Sequence, residues 1–258
     1  MKDPKTMACV NMYGILGCLE DLCRFSPDAK KLSIEKKGKP TSISFCIKDG
    51  PSVTLRFEEG LCGVEEGEGK CDIRLPFSGF DKFNGMIDGT VTPFPSKGFT
   101  RLGFLTKNFI GLTKIMESYL RAKPEDLAKS DFFEASTIIM FHLIARTVSQ
   151  IGNHDKIGRF SASNIVDGTV VLSIKNGDNS AIRAAIIVKD HRLSTSREIP
   201  EKYHAVMEFE SLKLARDVFD GRVSTLGCVG NGLISMRGNL SMLDNVNRIL
   251  DRVAVYLA

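Results

Sequence analysis

This chain is poor in the residues on which catalytic sites are usually built. Histidine occurs four times in 258 residues. His142, His154, His191 and His204 share no local spacing with a cysteine or carboxylate that would make a metal or nucleophile pattern. His142 reads as a mid-helix core residue, His154 and His191 as loop residues, and His204 as the start of a strand. No G-x-S-x-G elbow and no P-loop occurs. Gly230-Asn231-Gly232 with Gly238 has the wrong spacing for a dinucleotide loop, and a strand follows, so a phosphate would meet no helix N-terminus. The seven cysteines contain no C-x-x-C pair, which argues against a zinc site and a disulfide framework. They read as small apolar core residues in a reducing cytoplasm. The longest mostly apolar run, 138–145, falls far short of the ~20 residues that span a bilayer. At the start, Asn11 and then Glu20-Asp21 interrupt the apolar patch behind Lys2 and Lys5, so no signal peptide is expected. Net charge is small too. A value of +4 is too low for a nucleic-acid binder, which needs a concentrated basic face. The excess lies in residues 1–123, partly in Lys30, Lys31, Lys36, Lys37 and Lys39. That cluster reads as a solvated loop, and a weak, transient contact with anionic headgroups is the sharper alternative.

What the chain does have is a repeat. Ile47-Lys48-Asp49-Gly50 returns as Ile174-Lys175-Asn176-Gly177, 127 positions on. Met86-Ile87-Asp88-Gly89-Thr90-Val91 returns as Val218-Phe219-Asp220-Gly221-Arg222-Val223, at a shift of 132. Leu112 to Met116 returns as Val246 to Leu250, at 134. Small, growing shifts are the mark of a duplicated domain with loop insertions, since solenoid repeats run at roughly 20–50 residues. Two domains are therefore expected, 1–123 and 124–258, each large enough to bury a core. The polar, proline-bearing 121–126 stretch is the expected hinge.

Periodicity orders each copy. The first opens with a helix over 8–24, where Leu16, Leu19 and Cys23 recur at helical spacing and Ser26-Pro27 stops the run. Alternation at Ile43, Phe45 and Ile47 and at Val53, Leu55 and Phe57 makes a hairpin. The acidic 58–68 segment reads as a solvated turn. A strand over 72–77, a short helix over 79–87, a strand over 99–102 and a long helix over 104–120 complete the copy. In the second, Asp131 and Glu134 resemble a capping box. The helix they open carries Ile138, Phe141, Ile144, Val148 and Ile151, with Gly152-Asn153 as its cap. Strands 168–175, 181–189 and 205–209 follow, then a helix over 211–219 capped by Ser211, a strand over 233–237 and a helix over 240–257. Short turns between neighbouring strands imply an α+β domain with a mainly antiparallel sheet covered by helices.

The chemistry left to such a chain is apolar. Phe104, Phe109, Met116 and Tyr119 in one copy, and Met236, Leu240, Met242 and Leu243 in the other, load the last helices and the strands before them with large flexible side chains. These suit an adaptable cavity and a plain core equally well.

The tail of the second copy adds a motif. Gly232-Leu233-Ile234-Ser235-Met236-Arg237-Gly238-Asn239, between the Asp220-Gly221 turn and an amphipathic helix, resembles the sterol-carrier-protein type 2 domain. That family carries Gly-Lys, alternating apolar residues, then Gly-Asp/Asn. Gly232, Ile234, Met236, Gly238 and Asn239 match, while Leu233 stands where lysine is usual. The first copy keeps Asp88-Gly89 and the terminal helix, but its Gly98 to Gly103 stretch is one residue short. The resemblance implies two tandem domains of this type, each a mainly antiparallel five-stranded sheet under helices around a hydrophobic cavity. It implies a non-catalytic lipid carrier for a fatty acid, sterol-like or isoprenoid ligand, needing no cofactor and no metal. Phe109, Leu112, Met116, Met236, Leu240, Leu243 and Val246 are the candidate cavity residues. The alternative is a duplicated interaction module with a filled core, accessory to a partner enzyme of acyl or quinone metabolism.

Overall fold

A computed structural model describes residues 2–34, 39–177 and 180–257; Lys36 and Lys37 of the basic cluster lie outside them. The chain divides into two compact units, 1–139 and 140–258.

The first unit opens with a continuous helical run over 4–25 (α1), α-helical at Pro4–Cys9, π-helical at Val10–Ile15, 3-10 at Leu16–Cys18 and α-helical again at Leu19–Phe25. Asp3 caps it by accepting the Thr6 N–H at 2.8 Å. Ser26-Pro27 does end this run, but it also starts the next one. Ser26 accepts the Ala29 N–H, and Pro27 holds the first position of helix α2, Pro27–Ser33. Proline fits there because its missing N–H would be unpaired in any case. Strands β1 (Thr41–Ile47), β2 (Ser52–Glu58), β3 (Leu61–Glu66) and β4 (Ile73–Phe77) stand in the order β3-β2-β1-β4. The β1/β2 and β2/β3 pairs are antiparallel, and β1/β4 is parallel. Helix α3, Phe80–Ile87, follows. Helix α4 runs over 104–120, π-helical at Phe104–Phe109 and α-helical at Ile110–Leu120.

In the second unit and its approach, helix α5 is Ser130–His154 and α6 is Lys156–Ala162. Strands β5 (Gly168–Asn176), β6 (Ser180–Lys189), β7 (Arg192–Ser196), β8 (Ala205–Phe209) and β9 (Ile234–Gly238) stand in the order β7-β6-β5-β8-β9, with β5/β8 parallel and the other pairs antiparallel. Helices α7 (Leu212–Phe219), α8 (Thr225–Gly230), α9 (Leu240–Leu250) and α10 (Val253–Leu257) complete it. The architecture is α+β, with one four-stranded and one five-stranded sheet.

The internal registers of the two units correspond. Ile43 faces Ile73 across the parallel pair, as Val170 faces Ala205. The β2–β3 hairpin turns through Glu59 and Gly60, and the β6–β7 hairpin through Asp190 and His191. All four residues are left-handed, as a two-residue turn matching strand twist requires. Gly89 and Gly221 close α3 and α7 with φ of 72° and 70°.

Three expectations are corrected. The acidic 58–68 segment is an edge strand and not a turn, and β7 is its unforeseen counterpart. The first sheet has four strands, not five. Residues 99–102 are not a strand; Phe99–Arg101 is a 3-10 turn. The place of β9 is taken in the first unit by a single antiparallel bridge, Arg74–Lys97. The equivalent stretch carries Pro93 and Pro95, and proline cannot donate to a ladder. The first compact unit runs on to Ile139, beyond the 121–126 stretch. Ser136 Oγ donates to Tyr119 O at 2.6 Å, and the Tyr119 and Phe132 rings stack at 4.4 Å. The start of α5 is thereby packed on the end of α4.

The first sheet has one apolar face. In the first unit Ile43, Phe45, Ile47, Val53, Leu55, Phe57, Ile73, Leu75 and Phe77 alternate inward and are all buried. Side chains of this size stabilise by roughly 1.5–3 kcal/mol each when fully buried. The opposite face is polar. Ser44 and Thr54 hydroxyls bond at 2.8 Å, and the 67–72 segment runs over them to reach β4. Gly69 N–H donates to Thr54 Oγ1 at 2.9 Å and Ser42 donates to Asp72 at 2.9 Å.

Candidate functional site

The apolar layer begins with strand alternation and is completed by the last helix of each unit. In the first unit Phe109 lies 5.6 Å from Phe45 and 6.5 Å from Phe57, while Phe104 lies 5.3 Å from Phe57. Leu112 and Met116 are buried on the next turns of α4. Three of the seven candidates thus share one buried helix face, and four aromatic rings fill its start.

In the second unit Leu243 and Val246 are buried on α9 together with Met242 and Ile249. Met236 is half-buried on β9, directly opposite Met207, which is fully buried. Leu240 stands apart from this group, 67% exposed at the first position of α9. Met207 and Met242 were not among the candidates. Both were visible in principle, Met207 by strand alternation and Met242 by its spacing of four from Val246.

The motif of the second copy has a physical reading. Gly232 has φ 74° and closes the turn into β9. Gly238 has φ 95°, and a Cβ there would collide with His204 O and lie 2.9 Å from Ala205 Cα. Asn239 caps α9, its Oδ1 accepting the Met242 N–H at 3.2 Å. Gly98 repeats the role of Gly238, with φ 96° and its own approach to Asp72 O and Ile73 Cα. Aligning Gly98 with Gly232 was therefore the wrong correspondence. Phe99 follows it where a capping asparagine would stand, and α4 begins with no side-chain cap.

No ionisable side chain occurs among the nine inward residues of the first sheet. The four histidines lie in different settings. His204 Nδ1 accepts the Thr169 N–H at 3.2 Å, His191 sits in the left-handed turn, His142 is buried and His154 ends α5. Among the described residues no group of histidines, cysteines and acids is placed to hold a metal ion. A cavity of about 630 Å³ opens beside β1 and β4 of the first sheet, lined by apolar Ile47, Pro76 and Phe77 as well as by Lys48, Glu68 and Arg74 among others. Arg74 and Glu68 pair there at 2.6 and 3.1 Å, and the Arg74 hydrogen bond draws the Glu68 carboxyl below its ordinary range.

No family model and no curated protein matches this sequence. Solved structures do. Sterol carrier protein 2 domains are among them. The sterol carrier protein domain 2 of Helicoverpa armigera is 16% identical, over 52% of this chain and 94% of that one, with a TM-score of 0.36. Sterol carrier protein 2 of Yarrowia lipolytica in its apo form is 14% identical, over 51% and 95%, at 0.32. Palmitated SCP2L2 from Aedes aegypti is 14% identical, over 44% and 91%, at 0.32. Each of these sterol carrier chains spans about half the present one.

Proposed function

We propose that this protein binds a lipid tail (a fatty acid, sterol-like or isoprenoid molecule) non-covalently in its second unit, without catalysing a reaction. The observation that carries this reading is apolar continuity around α9. Leu226, Leu233 and Leu240 are exposed along the approach to and start of that helix, while Cys228, Ile234, Met242 and Leu243 of the same stretch are buried. An aliphatic chain drawn inward along such a surface gains about 0.8 kcal/mol per methylene, so shape and apolar lining suffice for affinity. The flexible Met207, Met236 and Met242 suit a layer that adjusts to a guest.

The first unit favours the second reading, an interaction module with a filled interior. The Phe45, Phe57, Phe104 and Phe109 rings close on one another at 5.3–6.5 Å, which is core packing. One guest per chain is the expected stoichiometry. Titration with a fluorescent fatty acid at micromolar concentration tests this. Val246→Trp in the second unit should lower the affinity at least tenfold, while Leu112→Trp should leave it unchanged. Absence of saturable binding by the unaltered protein would contradict the carrier reading and favour the filled module.

A further inference from the structure

We propose that the first unit carries a docking surface for anionic lipid membranes, formed by the 93–102 loop and the outer side of α4. Phe94 is 75% exposed and Phe99 55% exposed, and their rings lie 6.0 Å apart. A single exposed phenylalanine needs no explanation, but a paired one, with Leu102 and Ile110 also exposed further along the same stretch of chain, is of the kind that marks an interaction site. The loop holds these rings outward because its base is tied down. Ser96 N–H donates to Arg74 O at 2.9 Å, Arg74 N–H donates to Lys97 O at 3.2 Å, and Lys97 Nζ donates to Cys71 O at 2.6 Å.

Charge selects the partner. No acidic residue occurs between Asp88 and Glu117, a stretch that holds Lys97, Arg101, Lys107 and Lys114. Lys107 and Lys114 are exposed on α4 on either side of Ile110, at spacings of three and four that share a helix face. Neither forms an ion pair among the described residues. Aromatic rings that sink to the headgroup level, beside lysines whose stems lie along apolar surface while their ammonium groups reach phosphate, form an interfacial anchor. Each lysine near an anionic surface contributes about fivefold to binding. The second unit exposes Leu226 and Leu240 in the corresponding stretch, but its Arg222 and Arg237 are spent on Asp217, Asp220 and Glu208. It has the grease without the free charge. The surface is separate from the interior, and its role does not depend on a bound guest.

Cosedimentation of the full chain with phosphatidylcholine vesicles, with and without phosphatidylserine, tests the proposal. Binding is expected only with phosphatidylserine and should fall as salt rises. The double variants Phe94→Ser/Phe99→Ser and Lys107→Glu/Lys114→Glu should each lower affinity at least tenfold with an unchanged thermal melt, while Val166→Ser, at an exposed apolar residue of the second unit, should bind as the unaltered protein does. No binding to phosphatidylserine vesicles, equal binding to both vesicle types, or undiminished binding by either double variant would overturn it.

Discussion

Asp155 gathers four donors. Its carboxylate accepts the Ile157 and Gly158 N–H groups at 3.0 and 2.9 Å, capping α6, and the Arg252 guanidinium and Tyr256 hydroxyl at 2.9 and 2.7 Å. Burial acts to raise its pKa, but the bonds from Arg252, Gly158 and Tyr256 outweigh burial and hold it below the usual range. A carboxyl whose folded pKa is depressed stabilises the fold above its unfolded pKa, and that stability is lost as pH falls through the folded value. Acid unfolding of the second unit should therefore set in below about pH 4. Asp155→Ala should cost about 3–5 kcal/mol, because it leaves the Arg252 charge without its buried partner; Asp155→Asn should cost less. Thermal unfolding of the two variants at neutral pH checks the order. The thiols give a second residue-scale prediction. Burial pushes Cys9 up to about 12 and Cys23 and Cys46 up to about 11, and six of the seven cysteines are buried. Under native conditions a thiol reagent should label Cys71 quickly and the other six only on unfolding; rapid labelling of several thiols would contradict the packing. None of Asp155's partnerships with Arg252 and Tyr256 was legible beforehand, since they join residues about a hundred positions apart.

At the scale of elements, what the sequence made readable followed burial. Strands β1, β2, β4, β5, β6 and β8 bury an unbroken alternate set of side chains, so their period of two survives in the sequence. The edge strands β3 and β7 bury little beyond Cys62 and Leu193. Their polar outer residues hide the period, which is how exposed edges usually look. Helix α5 misled in the opposite sense. Its apolar stripe suggested one buried side, yet from Ala135 to Gly152 only Met140 and Arg146 are not buried. Thr137, Thr147, Ser149 and Gln150 are buried with the rest, and nothing in their polarity announces it. The motif glycines were legible as a pattern while their reasons were not. Gly238→Ala should cost on the order of 1–3 kcal/mol, because a left-handed backbone is combined with contact against His204 and Ala205 backbone. Gly221→Ala, at φ 70° with nothing within 4 Å, meets only the backbone penalty of about 1 kcal/mol. Denaturant unfolding should rank the two variants in that order.

At the scale of the whole molecule, one fold plan is written twice with different residues in its interior. Register, hairpin turns and closing glycines agree between the units, while prolines reduce the fifth strand of the first to a single bridge. Aromatic rings fill the first apolar layer, and methionines and aliphatic residues line the second. Phe109, Leu112, Met116, Leu243 and Val246 were readable as an inward set, because helical spacing identifies a buried face, while Leu240 is exposed. Whether such a set fills a core or lines a space is not legible in the sequence, since periodicity reports direction and not free volume. The central claim is that the second unit holds a lipid guest. Native mass spectrometry of the purified chain tests it most directly. The account predicts one non-covalent adduct of lipid mass per chain, or its uptake when fatty acid is added, lost on Val246→Trp and kept on Leu112→Trp. A chain that shows only its own mass, with and without added fatty acid, would contradict it.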